Sequence, residues 1–431
     1  MKLSSAMSRL GTETAFEVLV RARALEAQGR EVVHLEIGEP DFDTPSNIIE
    51  AACKALHGGY THYGPAAGLP ALREAVAAEV SRSRKIKVTP DQVVVTPGGK
   101  PIMFYTILAL AEKGDEVMYP NPGFPIYESV IKYSGATPVP IALKEKDGFA
   151  FSADAILSQI TAKTRLIIIN SPANPTGGVT PKEEVDKLVA GLLKHPHVAL
   201  LSDEIYSQML YGGRKHLSLL QYPEIRDRLI MLDGWSKTYA MTGWRLGYAV
   251  WPDAAVEHVT RLCINDHSCV NAATQYAGLA ALQGPQDAVL SMVAQFDKRR
   301  EIIVRELNAL PGFRCADAAG APICAAGDCC NDANCGVGEA CLGGYCTAVE
   351  CFVDGDCTGA DPCTLATCSN GACSYAPACE GECATCDGGI CSSDDTLCGL
   401  CGTCDAGTCT PVGCPEGFSC YAETGECLGI A

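Results

Sequence analysis

A lysine in an apolar setting is the first residue whose surroundings point to chemistry. Lys237 lies in the stretch DGWSKTYAMTGWRLGY, one residue after Ser236 and eight residues before Arg245. Burial and cationic neighbours both disfavour the charged ammonium, and a neutral lysine amine forms Schiff bases with carbonyl compounds. The stretch therefore indicates a lysine nucleophile, and the alternative is a buried structural lysine.

A carboxylate pair follows an apolar run elsewhere in the chain. The segment VALL continues directly into SDEIY, which places Asp203 and Glu204 at the end of a predicted buried strand. A buried carboxylate is costly unless it has a partner. Asp203 is thus a candidate for pairing with a cationic group of a ligand, and the alternative is an acid that caps a turn.

A glycine-rich turn provides a candidate anion site. TPGGKP follows an apolar strand and opens a helix, so Gly98, Gly99 and Lys100 would lie at a helix N-terminus, where backbone N–H groups favour anions. The GxxxxGK[ST] spacing of a P-loop is absent. A plain strand–helix turn is the alternative.

The elements that carry these residues alternate between strands and helices. The strand-like runs are QVVVTPGG, EVMYPNPG, TPVPIAL, RLIIINSPANPTGG, VALLSDEIY and RLIMLDGWS. Near-continuous apolar strands separated by helices predict an α/β fold with a mostly parallel sheet covered on both faces. In such sheets the chemistry collects in loops at the carboxyl ends of the strands, which is where the candidate residues lie.

The flanking regions predict further elements. Helical patterns extend from Ser8 to Gln28 and from Pro285 to Leu310, and VVHLEIGEPDFDTP predicts a short strand that ends in a turn at Gly38.

Several motifs in this order resemble class I/II aminotransferases of fold type I, which depend on pyridoxal 5'-phosphate (PLP). They are IGEPDF, YGPAAGLPALR, TPGGKP, PNPGFPIY, NSPANPTGG, SDEIY and the lysine stretch, and the resemblance covers about residues 10–314. It implies a three-layer PLP-transferase large domain with a smaller second domain. It also implies transfer of an amino group between an amino acid and a 2-oxo acid.

The resemblance implies a role for each matching residue. Lys237 would hold PLP as a Schiff base and move the substrate proton, and Asp203 would pair with the pyridine nitrogen. Asn174 and Tyr206 would contact the phenolic oxygen, and Phe124 would stack on the ring. The phosphate would be bound by Gly98, Gly99, Lys100, Ser236 and Arg245.

Two further matches concern the partner subunit and the substrate. Tyr63 matches a tyrosine that reaches the cofactor phosphate of the partner subunit, which implies a homodimer. Gly38 matches a glycine whose backbone meets the substrate carboxylate, near which Asn174 also lies. No metal site is expected in this part of the chain.

Composition divides the chain near Arg314. All 33 lysines and arginines lie at or before it, whereas the 117 residues from Cys315 onward hold 17 acidic residues and 23 of the 26 cysteines. The first part therefore has a net charge of -1 and the tail one of -17. The absence of a basic cluster argues against nucleic-acid binding, and no run is long enough for a membrane helix.

These features predict four regions. They are an N-terminal arm with part of the small domain (1–45), a PLP-binding large domain (46–284), a truncated start of the C-terminal small domain (285–318) and an acidic cysteine-rich segment (319–431). The 22 cysteines from Cys324 onward predict a disulfide framework. Metal binding through the C-x-x-C spacings at Cys383/Cys386 and Cys398/Cys401/Cys404 is the alternative.

Different features of the sequence predict different cellular compartments and different activities for the protein. The N-terminus lacks the apolar core of a secretory signal, which favours the cytoplasm, whereas the cysteine-rich tail favours an oxidising compartment. In the resembling family a C-terminal arginine pairs with the substrate carboxylate, and no arginine follows Arg314 here, so we expect cofactor binding to survive better than turnover. The alternatives are another PLP reaction, such as that of a lyase, or an extracellular binding protein with a vestigial enzyme part.

Overall fold

The structure, a computed structural model, describes residues 1–35 and 37–320 together with the backbone of ten short strands further on. The chain divides into two compact units, Met1–Cys329 and Cys330–Ala431. The predictions of disulfides or metal binding in the tail concern side chains outside the described residues. Among the described helices, none has the length and apolar character needed to cross a membrane.

Unit 1 is built on a seven-stranded sheet with the order β1-β7-β6-β5-β4-β2-β3. Its strands are β1 (Val93–Thr96), β2 (Glu116–Asn121), β3 (Thr137–Ala142), β4 (Thr164–Asn170), β5 (Ala199–Asp203), β6 (Leu229–Gly234) and β7 (Gly247–Val250). The pairs β2–β3, β2–β4, β4–β5 and β5–β6 are parallel, whereas β7 is antiparallel to both β1 and β6. The predicted mostly parallel sheet is confirmed, and β7 was not predicted.

Ten helices surround the sheet among the described residues of unit 1. They are α1 (Thr14–Glu26), α2 (Ser46–His57), α3 (Pro70–Arg84), α4 (Lys100–Leu110), α5 (Ile126–Ser134), α6 (Ala153–Gln159), α7 (Lys182–Leu192), α8 (Asp253–Asp266), α9 (Ala272–Gln283) and α10 (Asp287–Ala309).

Two apolar cores lie on the two faces of the sheet, because side chains alternate along each strand. In β4, Ile167 and Ile169 join the core formed with α2, α3, α6, α7 and α9, whereas Leu166 and Ile168 join the core formed with α4, α5 and α8. The strands other than the edge strand β3 are therefore apolar on both sides, which explains their near-continuous hydrophobic sequences. The predicted three-layer α/β architecture is confirmed.

The N-terminal region differs from the prediction. The helical pattern from Ser8 is interrupted, with a short 3-10 turn at Met7–Arg9 and α1 beginning only at Thr14. The predicted strand in VVHLEI is wrong, because residues 30–35 have no strand pairing in the described part of the chain. A strand needs a neighbour for its backbone hydrogen bonds, and alternation of side chains alone does not supply one.

The last described residues of unit 1 pack against the loop that follows β4. The Ala319 and Gly320 amides donate to the Gly177 carbonyl at 2.9 and 3.1 Å, and the Tyr211 amide donates to the Ala319 carbonyl at 3.1 Å. Ala318 is buried beside Gly177. The packing of unit 1 thus continues past Arg314 to at least Gly320.

The tail strands form five two-stranded antiparallel sheets. They are β8 (Glu339–Leu342) with β9 (Tyr345–Ala348), β10 (Thr364–Ser369) with β11 (Ala372–Pro377), β12 (Thr385–Asp387) with β13 (Ile390–Ser392), β14 (Gly402–Asp405) with β15 (Thr408–Pro411), and β16 (Phe418–Cys420) with β17 (Cys427–Gly429).

Candidate active site

Lys237 lies in the turn between β6 and β7. Its Nζ donates a 2.6 Å hydrogen bond to the Gly38 carbonyl. Burial lowers the pKa of Lys237 to about 8, and the charges of Arg245 and Lys100 lower it further, while Glu39 and Glu13 oppose the shift. A substantial fraction of the amine is therefore neutral near physiological pH, as a nucleophilic lysine requires.

The glycine-rich turn and Arg245 meet at the carboxyl end of β1. Gly98 has φ +92°, which favours glycine, and a Cβ there would lie 2.3 Å from Arg245 Nη2, so the guanidinium would have to move to admit any other residue. Gly247 pairs in register with Thr96, and a Cβ on it would meet the Gly98 backbone at 2.6 Å. Because β7 is antiparallel, its start brings Arg245 to the end of β1.

Lys100 begins α4 and has an acidic partner that the sequence did not indicate. Its Nζ lies 2.6 Å from Glu13 Oε2 and 5.6 Å from the centre of the Phe124 ring. The turn, the predicted stacking aromatic and the N-terminal arm therefore converge at one place. Glu13 also influences the pKa values of Lys237 and Tyr206, which places it near all three groups.

Asp203 is the last residue of β5 and is 2% exposed. Its Oδ2 accepts a 2.6 Å hydrogen bond from the Tyr127 hydroxyl, and its Oδ1 accepts one of 3.2 Å from the Ile205 amide. Burial raises the pKa of Asp203 to about 6, although both hydrogen bonds lower it. The carboxylate thus carries its charge at neutral pH, and the two groups described as donating to it, the Tyr127 hydroxyl and the Ile205 amide, are both uncharged.

Asn174 and Tyr206, the two residues predicted to contact the phenolic oxygen, are hydrogen-bonded to each other. The Asn174 Nδ2 donates to the Tyr206 hydroxyl oxygen at 3.1 Å, and the Tyr206 side chain is buried. Burial raises the pKa of Tyr206, and the nearby Asp203 charge raises it further. The phenol therefore remains protonated and can still donate its own proton to an acceptor.

Glu204 faces a separate buried network. Its two carboxylate oxygens accept hydrogen bonds from Ser218 at 2.7 Å and Ser202 at 3.0 Å, and contact His216 Nε2 at 2.7 Å and Arg84 Nη2 at 3.3 Å. Burial alone raises the pKa of Glu204, but His216 and Arg84 together lower it to about 2. Of the two adjacent acids, Glu204 is already paired with side chains of the protein, whereas Asp203 remains available to a ligand.

The remaining predicted residues occupy different positions. Ser236 precedes Lys237 in the same turn, Gly38 accepts from Lys237 through its carbonyl, and Gly99 caps α4. Tyr63 is 89% exposed, and its role toward a partner subunit stays a prediction. The individual roles of the other site residues in cofactor binding likewise stay predictions.

Three residues of this region were missed from the sequence. Tyr127 contacts Asp203, Asn170 contacts both Asp203 and Asn174, and Glu13 pairs with Lys100. Asn170 carried a usable signal, because it is a polar residue that ends the apolar run RLIII, just as Asp203 ends VALLS. Tyr127 and Glu13 carried no comparable signal in the sequence, because they are simply an aromatic residue and an acidic residue near the start of a helix.

The residues present suit PLP. The cradle at Gly98 has no Cβ and lies beside Arg245, which fits a phosphate. Asp203 is a buried acid that fits a protonated ring nitrogen, and Asn174 with Tyr206 offers donors for a phenolic oxygen. Lys237 supplies the amine.

Comparison with known proteins agrees with this geometry. The profile of the family described as "Aminotransferase class I and II" matches residues 30–331, so the match begins later and continues further than the motifs had predicted. The aspartate aminotransferase of Geobacillus stearothermophilus is 37% identical over 322 residues, which are 74% of this chain and 82% of the relative. The probable aspartate/prephenate aminotransferase of Aquifex aeolicus is 36% identical over 322 residues, with the same shares.

Solved structures give the same result. The aspartate aminotransferase of Rhizobium meliloti has a TM-score of 0.72 at 34% identity, covering 74% of this chain and 80% of that one. The aspartate aminotransferase of Thermus thermophilus with maleate has a TM-score of 0.71 at 34% identity, covering 74% and 84%. The chain belongs to the class I and II aminotransferases, enzymes that depend on PLP.

Proposed function

We propose that this enzyme transfers the amino group of an acidic amino acid to a 2-oxo acid, with Lys237 as the residue that joins PLP as a Schiff base. The observation that carries the proposal is the state of Lys237. Its pKa is about 8, and its amine lies beside the Gly38 backbone, where the substrate carboxylate is expected. An amine in this state can act first as nucleophile and then as proton carrier.

Each neighbouring group has a defined task in this proposal. When bound, PLP supplies an electron-accepting ring. Asp203 holds a proton on the ring nitrogen by its negative charge, and Tyr127 helps to keep that carboxylate ionised. Asn174 and Tyr206 donate to the phenolic oxygen, and Arg245 with the Gly98 turn binds the phosphate.

The substrate class is inferred from the relatives. Those from Geobacillus and Rhizobium are named aspartate aminotransferases, and the Thermus structure contains maleate, a dicarboxylate. We therefore expect aspartate to be the preferred amino donor.

A homodimer belongs to the same proposal. Tyr63 and Tyr60 are exposed on the loop that follows α2, at 89% and 50%. Large aromatic side chains at the surface are typical of protein interfaces. Tyr63 would reach the phosphate of the partner subunit's cofactor.

The first test is covalent attachment of the cofactor. The purified full-length chain is mixed with PLP, reduced with borohydride, and the labelled peptide is identified by mass spectrometry. We expect the label on Lys237 and its loss in Lys237→Ala. Lys182→Ala is the matched control, because Lys182 is exposed at the start of α7, where it pairs with Asp186. A label that is absent, or that persists in Lys237→Ala, contradicts the proposal.

The second test is turnover. The enzyme is given aspartate and 2-oxoglutarate, and formation of glutamate is followed. We expect Lys237→Ala to lower the rate by roughly 10²-fold or more, because proton transfer alone contributes about that much. Release of ammonia with fumarate, or of carbon dioxide with alanine, in the absence of glutamate would instead favour a lyase.

A further inference from the structure

Asn170 is a buried amide whose two ends are both engaged at the edge of the active site. It is the last residue of β4 and is 7% exposed. Its Nδ2 donates to the backbone carbonyl of Asp203 at 3.1 Å, and its Oδ1 accepts from the backbone amide of Asn174 at 2.8 Å. A single side chain therefore connects the backbone of two residues expected to contact the cofactor ring.

The strand pairing ends at this point. Asn170 and Asp203 are the last partners in the register between β4 and β5. Beyond these two residues, β4 continues into a turn that carries Asn174, and β5 continues into a separate turn that carries Tyr206. The Asn174 side chain then donates to the Tyr206 hydroxyl oxygen at 3.1 Å, so a side-chain hydrogen bond joins the two turns. The Asn170 amide continues the connection where the backbone ladder stops.

We propose that Asn170 is a positioning residue. By fixing the backbone of Asn174 relative to Asp203, it directs the Asn174 side-chain amide and so sets the hydrogen bonding at the phenolic oxygen of PLP. This inference rests on the proposed function. A donor at the phenolic oxygen favours its deprotonated form. Loss of Asn170 therefore weakens that donor and raises the pH at which the visible absorption band of the bound cofactor changes.

The test compares Asn170→Ala, Asn174→Ala and the double variant in the full-length holoenzyme. The readouts are the pH midpoint of the visible band and the PLP dissociation constant. We expect Asn170→Ala to raise the midpoint by about 0.5–1 unit, the effect of weakening one hydrogen bond, and Asn174→Ala to raise it at least as much. In the double variant, Asn170→Ala should add nothing, because its effect acts through Asn174.

Two additions keep the result interpretable. Asn308→Ala removes an equally two-ended amide, which bonds the Cys315 carbonyl and amide at the end of α10, and should lower thermal stability without moving the midpoint. Asn170→Ser provides a second variant if the alanine variant does not fold. An unchanged midpoint in the folded Asn170 variant, or a shift that adds fully to that of Asn174→Ala, overturns the inference. Failure of wild-type protein to bind PLP at Lys237 would instead overturn the proposed function.

Discussion

The Tyr127 hydroxyl donates a 2.6 Å hydrogen bond to Asp203 Oδ2 inside the protein core. Tyr127 is fully buried, and this bond is one of the contacts that hold the pKa of Asp203 down against the effect of burial. In the proposed function Asp203 stays ionised to hold a proton on the ring nitrogen, so a tyrosine on α5 would help to keep an acid on β5 charged.

Tyr127→Phe tests this relationship. Removing the hydroxyl should raise the pKa of Asp203 from about 6 by about one unit, since a hydrogen bond to a charged group contributes roughly 1.5–3 kcal/mol. The acidic limb of the pH–rate profile should move upward accordingly. Tyr105→Phe is the control, because Tyr105 makes a similar 2.5 Å hydrogen bond to Asp266. Equal profiles for the two variants would contradict the assignment.

Glu13→Gln tests the electrostatics around Lys237. The Glu13 charge raises the pKa of Lys237, so its removal should lower that pKa below about 8. More neutral amine at pH 7 should speed covalent attachment of PLP by about two- to fivefold, measured by stopped-flow absorbance. Glu17→Gln, on the exposed face of α1, should leave the rate unchanged. A slower reaction in Glu13→Gln would show that Glu13 acts mainly by positioning Lys100.

Asp203→Asn should stabilise the cofactor-free protein. The pKa of Asp203 in the folded protein, about 6, lies above its ordinary value, so folding favours the protonated carboxyl group. Its contribution to the free energy of unfolding is lost as the pH rises through about 6. Asparagine carries no charge, so we expect a gain of about 1–3 kcal/mol in unfolding free energy at pH 8. The gain should vanish near pH 4.

Urea unfolding at the two pH values measures this effect. Asp253→Asn, at the exposed start of α8, controls for the loss of one negative charge. A gain that is equal at both pH values would mean that ionisation of Asp203 is not its source.

Comparing Gly98→Ala with Gly114→Ala distinguishes a steric clash with Arg245 from backbone strain at a positive φ. The new Cβ would lie 2.3 Å from Arg245 Nη2, whereas at Gly114, which also has positive φ, a Cβ would meet nothing within 4 Å. Both alanine variants should lose about 1–2 kcal/mol of stability through strain. Only Gly98→Ala should weaken PLP binding, by about tenfold or more, as measured by equilibrium titration. Equal affinities would show that Arg245 is free to move aside.

Much of the sheet of unit 1 could be predicted from local sequence. Lys237, Asp203 and the Gly98 turn each follow an apolar strand, and such strand ends are recognisable because apolar runs and glycine-rich turns are short-range signals. The four-residue strand β7 is too short for periodicity to distinguish it from the turn before it.

Other features depend on contacts between distant parts of the chain. Tyr127 and Asp203 are 76 residues apart, and Lys100 and Glu13 are 87 apart. A buried tyrosine in an apolar helix is typical of core packing, so its hydroxyl partner becomes apparent only when α5 is placed on the sheet. The same holds for Arg84, because one of its buried partners, Glu204, directly follows β5 and the other, Asp233, lies on β6.

The antiparallel strand β7 also determines when the phosphate-binding turn can be completed during synthesis. In the order of the sheet, β1 is an edge strand that pairs only with β7, whose residues follow it by about 150 positions in the chain. A ribosome-bound chain that ends before Gly247 therefore has β1 without its hydrogen-bonding neighbour and Gly98 without Arg245. The proposed anion site, although encoded early, can therefore be completed only after about three quarters of unit 1 has been synthesised.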